Sequence, residues 1–271
     1  MRAQYVLLLL AMLAVLGTVN AGVVTLVGTC IDHPLQNGTI LFILNNTGND
    51  TANNLLLTPH IIGAGIQNST YSVNAITPGG SVSIAVPINE TSMHGSYVLY
   101  FDAAYQQGLS VFTAVFPCLI DVGPSTLSPI YITTSGEVSN NEAKLNVSIF
   151  NGFGENLIVN VSAIIPPGFK YLSNRYQLLE VSPYTHNSAY FALGLPQLSG
   201  SAYSGAIAAA YNLNGVEFST MSVIKIFKPV SSYNMLYIAA WTAIIVVVAI
   251  ILVLIFRAYR KRNIAAKNQG V

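Results

Sequence analysis

Residues 235–256 carry no charge, and Arg257, Arg260, Lys261 and Arg262 follow directly. At 1.5 Å per residue, a helix over this run reaches about 33 Å, enough to cross a hydrocarbon core. Tyr237 and Trp241 sit near its start, where aromatic rings favour the headgroup layer. The basic cluster marks the end that stays cytoplasmic. A buried core helix of this length would show a polar residue on some face. The run therefore predicts one transmembrane helix over 235–256, a basic cytoplasmic tail over 257–271, and an outside location for everything before a short stalk at 230–234.

The other end of the chain fits this topology. Arg2 precedes an apolar stretch at 5–16 that is too short to span, and Val19-Asn20-Ala21 offers a small-residue cleavage site. Residues 1–21 read as a signal peptide. A lipid anchor on Cys30 is disfavoured, because Thr29 stands where a small residue is needed and Cys30 lies far beyond the apolar stretch. The expected product is a type I plasma-membrane protein with one span and an extracellular body.

Charge divides along the same line. Residues 22–229 hold ten acidic and five basic side chains, whereas the tail holds five basic ones and no acidic one. Charged residues make up 8% of the chain, against roughly 25% in ordinary soluble proteins. Asn, Ser, Thr, Tyr and Gln take over the wet surface. N-glycosylation sequons occur at Asn37, Asn45, Asn49, Asn68, Asn89, Asn146 and Asn160, all of them before the span. Low charge and many sequons point to a surface glycoprotein of an archaeal envelope, and few carboxylates suit an acidic exterior. In an oxidising exterior, Cys30 and Cys118 read as an intradomain disulfide closing a long loop, worth roughly 4–5 kcal/mol by chain entropy. Free thiols and intermolecular bridges are the alternatives.

Between the signal and the span, short alternating or apolar runs are separated by Gly, Pro, Asn and Ser, without an amphipathic helical stretch of useful length. Strands are predicted over 23–29, 39–44, 54–62, 81–88, 96–105 and 109–116. A second set covers 130–134, 143–150, 157–165, 176–181, 188–193, 203–211 and 216–227. The two sets match. Leu44-Asn45-Asn46-Thr47-Gly48-Asn49 aligns with Phe150-Asn151-Gly152-Phe153-Gly154-Glu155, and Ile76-Thr77-Pro78 with Val181-Ser182-Pro183. Ala103-Ala104-Tyr105 aligns with Ala209-Ala210-Tyr211. Gly48 to Gly154 and Tyr105 to Tyr211 share an offset of 106. Each unit has the length of a seven-stranded sandwich, roughly 100 residues. The expected fold is all-β: two tandem Ig-like antiparallel β-sandwiches, 22–123 and 130–229, followed by the C-terminal transmembrane helix. A proline-bracketed linker at 124–129 should make the pair a semi-rigid rod.

Three phrases of the first unit carry a family resemblance: Asn45-Asn46-Thr47-Gly48-Asn49, then Ile76-Thr77-Pro78-Gly79-Gly80, then Gly95-Ser96-Tyr97. Together they resemble the CARDB and NEW3 type of Ig-like domain found in archaeal S-layer-related surface proteins. The second unit departs from the pattern, with Tyr184-Thr185 in place of the glycine pair. The resemblance implies adhesion, spacing or envelope assembly, and it transfers no catalytic residue.

No catalytic or cofactor pattern emerges. His33, His60, His94 and His186 are scattered, without metal-ligand spacing, and no P-loop, nucleophile elbow or calcium loop occurs. Carboxylates are too dispersed for an acid/base pair, and an acidic body disfavours nucleic acid. Tyr97, Tyr100 and Tyr105, with Tyr203 and Tyr211 in the second unit, could form a sugar-binding face, but ordinary strand packing explains them better. The expectation is a non-enzymatic protein without cofactor or metal. Its partners are the lipid bilayer and a cell-envelope or S-layer protein, which it anchors or spaces. The alternative is a tethered binding or accessory subunit that recognises carbohydrate or serves a transporter or secreted enzyme. The first unit has no Lys or Arg and five of the seven sequons, which marks it as the outward head.

Overall fold

The computed structural model describes residues 22–31, 38–63, 69–88, 95–123, 128–139, 141–196 and 202–227, with six further residues between 241 and 257. Everything described before residue 228 is strand, turn or loop, and the strands pair antiparallel in four sheets.

In the first sandwich, β1 (Leu26–Cys30), β2 (Thr39–Asn46) and β5 (Ser81–Pro87) form one sheet in the order β1-β2-β5. The facing sheet runs β4-β3-β6-β7, from Tyr71–Ile76, Ala52–Ile61, Gly95–Gln107 and Ser110–Val122. Period-two alternation sets the inward faces. Ile40, Phe42 and Leu44 of β2 meet Leu55 and Leu57 of β3 and Leu99 and Phe101 of β6, all of them fully buried. Phe42 and Phe101 stack at the centre of this core, with ring centroids 3.8 Å apart.

The second sandwich repeats this plan. One sheet is built from β8 (Ile130–Ser139), β9 (Glu142–Asn151), β11 (Lys170–Tyr171) and β13 (His186–Gly194), in the order β11-β13-β9-β8. The other runs β12-β10-β14-β15, from Tyr176–Val181, Leu157–Ile164, Ala202–Leu213 and Val216–Phe227. Strand for strand, β8-β9-β13 answers β1-β2-β5, and β12-β10-β14-β15 answers β4-β3-β6-β7; the two-residue β11 is the addition.

Superposing the two plans moves the repeat alignment by one residue. Asn46 ends β2 fully buried, and its Nδ2 donates to the carbonyls of Asp50 and Ile76 at 2.7 and 2.9 Å while its Oδ1 accepts from Gly48 N. Asn151 ends β9 with the same set: Nδ2 to the carbonyls of Glu155 and Val181 at 2.8 and 2.9 Å, and Oδ1 from Phe153 N. The counterpart of Asn151 is therefore Asn46, not Asn45, and the offset here is 105 rather than 106. The offset becomes 106 by β6 and β14, where Tyr105 stacks on Phe112 and Tyr211 on Phe218, each pair at 5.7 Å. Each buried Asn links the sheet it belongs to with the last residue of a strand in the facing sheet.

The turn missing its glycines is the same turn. Gly80 N donates to Thr77 O, and Gly79 takes a φ of 71°; Thr185 N donates to Ser182 O, and Tyr184 takes a φ of 55°. Tyr184 occupies a left-handed conformation that costs a side chain roughly 1–2 kcal/mol. Gly48 is required for a different reason: a Cβ there would lie 2.1 Å from Val23 O.

Cys30 and Cys118 form the expected disulfide, with Cα atoms 5.9 Å apart. It joins β1 to β7 and so the two sheets of the first sandwich, and it rules out lipid attachment at Cys30. The two sandwiches also pack directly on each other. A third cluster, Val98 and Val115 with Ile164, Ala206 and Ala208, draws its buried residues from the four-stranded sheets of both sandwiches.

Of the anticipated transmembrane segment, Trp241, Ile245, Val248, Leu252 and Val253 are helical and exposed, as is Arg257 of the basic cluster. Among the described residues, no helix is long and apolar enough to cross a membrane. The rest of that segment, the signal region, residues 124–127 of the linker, the stalk, and Arg260, Lys261 and Arg262 lie outside the described residues.

Two substitutions test the turn chemistry. Asn46→Ala strands three backbone groups and should lower unfolding stability by about 3 kcal/mol; Asn46→Asp should fail to rescue it, because a carboxylate cannot donate to the Asp50 and Ile76 carbonyls. Tyr184→Gly should raise stability by about 1 kcal/mol by removing the left-handed penalty. Denaturant unfolding of the purified full chain reads both.

Candidate functional site

The densest gathering of polar and aromatic side chains lies at the seam between the sandwiches. Its floor is the third apolar cluster, with Ile62, Tyr100 and Met221 packed against it. At one side Ser219 of β15 is fully buried, and its Oγ accepts from Val98 N at 2.6 Å. The same hydroxyl donates to Ile62 O at 3.4 Å. Val98 lies beyond the end of β3, where its N–H has no strand partner on that side, so a side chain of the second sandwich completes the ladder of the first. Thr113 of β7 donates to Pro167 O at 2.6 Å, a second link across the seam.

Alternation along β3 and β6 turns His60, Tyr100 and Asp102 outward on the first sandwich. His60 Nε2 stands 3.2 Å from Asp102 Oδ2, and the His60 ring stacks on Tyr100 at 4.8 Å. From the second sandwich comes Arg175, the one arginine between residues 22 and 228. Its guanidinium carbon lies 5.5 Å from the Tyr171 ring centroid and 5.3 Å from that of Tyr176. The Arg175 charge also acts on Tyr100 and Asp102 of the first sandwich. A sandwich with no cation of its own thus receives one from its neighbour.

Burial dominates the titration of this group. It raises Tyr171 to about 12. It also raises Tyr100, helped by the Asp102 charge and opposed by Arg175. Asp102 is pushed above the ordinary 3.8 by burial, against the opposing pull of His60 and Arg175. The arrangement is an aromatic and polar joint, with its His60–Asp102 pair on the first sandwich. Among the described residues, no group of three or more His, Cys, Asp or Glu side chains could hold a metal ion.

The tyrosines singled out in the sequence do not make a sugar face. Tyr97 and Tyr211 are buried in the two cores, at 3% and 4% exposure. Tyr105 and Tyr203 pack against those cores, and Tyr100 belongs to the seam. A different aromatic row lies on the outer side of β8-β9-β13. There Tyr131 approaches Phe150 at 6.1 Å, and Phe150 approaches His186 at 4.8 Å. Ser148 and His186 Nδ1 are 3.2 Å apart beside this row. No sequence signal joined these three residues, because they come from separate strands and meet through register alone.

Among the sequons, Asn146 and Asn160 are exposed on β9 and β10, Asn49 is exposed in a turn where its Oδ1 accepts from Val23 N, and Asn45 is half-buried on β2. Asn37, Asn68 and Asn89, like His33 and His94, lie outside the described residues. Arg175 and Ser219 were missed by sequence reading. The isolation of Arg175 in an arginine-poor body was the available hint; Ser219 gave none.

No family model and no curated protein matches the chain. Solved structures overlap it slightly. The Salmonella alpha-2-macroglobulin mutant Y1175G aligns at 10% identity and a TM-score of 0.31, over 75% of this chain and 16% of its own. The YadV chaperone aligns at 13% identity and a TM-score of 0.31, over 73% of this chain and 99% of its own. Red sea bream transglutaminase aligns at 14% identity and a TM-score of 0.24, over 76% and 31%. The chain thus spans about a sixth of the macroglobulin, and likenesses this slight carry no functional argument.

The seam predicts a specific pH dependence. A raised folded-state pKa means that the folded chain holds the Asp102 proton more tightly than the unfolded one. The stabilisation is complete below the unfolded value and is lost as pH rises through the folded one. Urea midpoints measured from neutral to acidic pH should show the wild type gaining on Asp102→Asn as the carboxyl protonates, with no such gain in the variant.

Proposed function

We propose that this chain is a type I single-pass cell-surface glycoprotein, a non-enzymatic anchoring or spacing component associated with the cell envelope or its S-layer. The observation that carries the reading is the joint between the sandwiches. A spacer must hold its length against thermal bending, and Ser219 and Thr113 tie two small domains into one body. Support for the membrane end comes from the uncharged run at 235–256 with its basic flank. The resemblance of the turn phrases to CARDB and NEW3 domains belongs to the same reading.

One observation favours the alternative, a tethered binding or accessory subunit that recognises carbohydrate. The Tyr131, Phe150 and His186 row is partly open to solvent, with Tyr131 at 59% exposure. Aromatic rings flanked by hydroxyls suit the apolar faces and hydroxyl rims of sugars.

Photo-crosslinking on intact cells, followed by mass spectrometry, separates the two readings. Amine-directed reagents would miss the lysine-free first unit, so a photoactivatable residue is required. Dominant adducts with an abundant surface-lattice protein are the expected result. Adducts with a transporter or hydrolase, and none with the lattice, would overturn anchoring in favour of the accessory subunit. Loss of carbohydrate retention in Tyr131→Ala, with unchanged lattice adducts, would assign both roles.

A further inference from the structure

The outer face of the β12-β10-β14-β15 sheet has two halves. Ile164, Ala206 and Ala208 form one half and are buried against Val98 and Val115 of the first sandwich. The other half is bare. There Ile158 is 63% exposed and Leu178 72%, and Tyr176, at the border with the seam where Arg175 approaches its ring, 55%. Large apolar side chains gathered on adjoining strands of one sheet face, here beside the exposed Glu180 opposite Ile158, are not ordinary isolated surface residues and mark something that covers them.

Register places Asn160 in the middle of this half. Asn160 sits directly opposite Leu178 on β12 and Ala210 on β14. Ile158, two residues back along β10, projects to the same side. Tyr176 stands opposite Ser162, the next outward position. Asn160 is exposed, and Asn160-Val161-Ser162 is a sequon. We propose that an N-linked glycan on Asn160 lies over Ile158, Tyr176 and Leu178 and covers the half of this face that the first sandwich leaves open. The proposal rests on the reading of the chain as a surface glycoprotein and gives one of its glycans a structural task.

The chemistry fits the position. The ring CH groups of a pyranose are apolar on one face, and they gain by shedding water against Leu and Ile side chains and an aromatic ring. The outer sugar hydroxyls remain in solvent and keep the covered face wettable. Attachment needs a lipid-linked oligosaccharide as donor. The Asn160 Nδ2–C bond forms at the anomeric carbon as the bond from that carbon to the lipid phosphate oxygen breaks, and one Nδ2 proton leaves to a base. Ser162 is 6% exposed once the sheet is formed. The sequon hydroxyl faces the same side as Asn160 but is covered in the folded chain, next to Ala208 of the seam, so transfer precedes packing over this part of the face. Asn146 serves as an internal contrast: it is exposed too, but it lies on β9, opposite Tyr190 and Ser135.

Hydroxyl-radical footprinting of the full-length protein, purified from a glycosylating host, tests the proposal alongside glycopeptide mass spectrometry. Asn160 should be occupied, and Asn160→Gln should raise labelling of Ile158, Tyr176 and Leu178 several-fold, with Tyr131 unchanged. Asn146→Gln should leave those three residues as they were. An occupied Asn160 whose loss changes no labelling would overturn the shield while leaving the glycoprotein reading intact. A bare Asn160 beside other occupied sequons would do the same. If no sequon is occupied, the shield and the glycoprotein reading fail together. Ser162→Ala, which removes the sequon but keeps Asn160, should reproduce the Asn160→Gln footprint; a wild-type footprint from an unglycosylated Ser162→Ala protein also overturns the proposal.

Discussion

One buried carboxamide ties together the two sheets of each sandwich. Asn46 and Asn151 both stand at the end of a strand, fully excluded from water, and all their hydrogen-bonding capacity is spent on backbone. One side of the amide closes the turn that follows the strand. The other reaches the final carbonyl of β4 or β12 in the facing sheet. A group of this polarity is tolerated in an apolar core only when its donors and acceptor are matched, and here they are. The reward is registration: the turn, the strand end and the opposite sheet can be satisfied together in one arrangement. The side chains that alternate away from that point then fall inward in the right order, from Leu44 to Phe42 to Ile40 and from Ile149 to Val147 to Leu145.

The same economy governs the joint between the sandwiches. The first sandwich lacks any cation, and its outward His60, Tyr100 and Asp102 face the arginine of the second. Attraction between these groups is strengthened by partial burial, which also resists the charge on Asp102. Ser219 contributes geometry more than charge, because it satisfies a backbone N–H left over where β3 ends. Apolar packing of Val98, Val115, Ile164, Ala206 and Ala208 supplies the bulk of the contact. Small alanines on β14 permit the close approach of the two bodies.

These features give the proposed role a physical basis. Polar uncharged surface, a cross-sheet disulfide and a joined pair of domains suit an exposed structural element in an oxidising setting. The sheet that carries the joint also carries the sequon at Asn160, so in the proposed reading a single surface is divided between a protein cover and a sugar cover. The aromatic row over Tyr131, Phe150 and His186 lies on another sheet and is available to a separate partner.

The sequence by itself determined the all-β character, through alternation of apolar residues and the spacing of Gly, Pro and Asn, and it determined the Cys30–Cys118 bridge, through there being two cysteines to pair. Repetition was legible as well, because turns repeat when folds repeat. Its register was misread by one residue, since Asn45 and Asn46 are indistinguishable until burial selects the one that points inward. Only the tertiary structure decided the contact between the sandwiches, the rings around Arg175, the partners of Ser219, and the aromatic row. Each of these depends on residues far apart in the chain meeting across strands or domains, and local pattern carries no record of that geometry. Tyr184 shows the limit from the other side: sequence marked it as a departure from a glycine turn, yet the network around Asn151 holds the same turn in place.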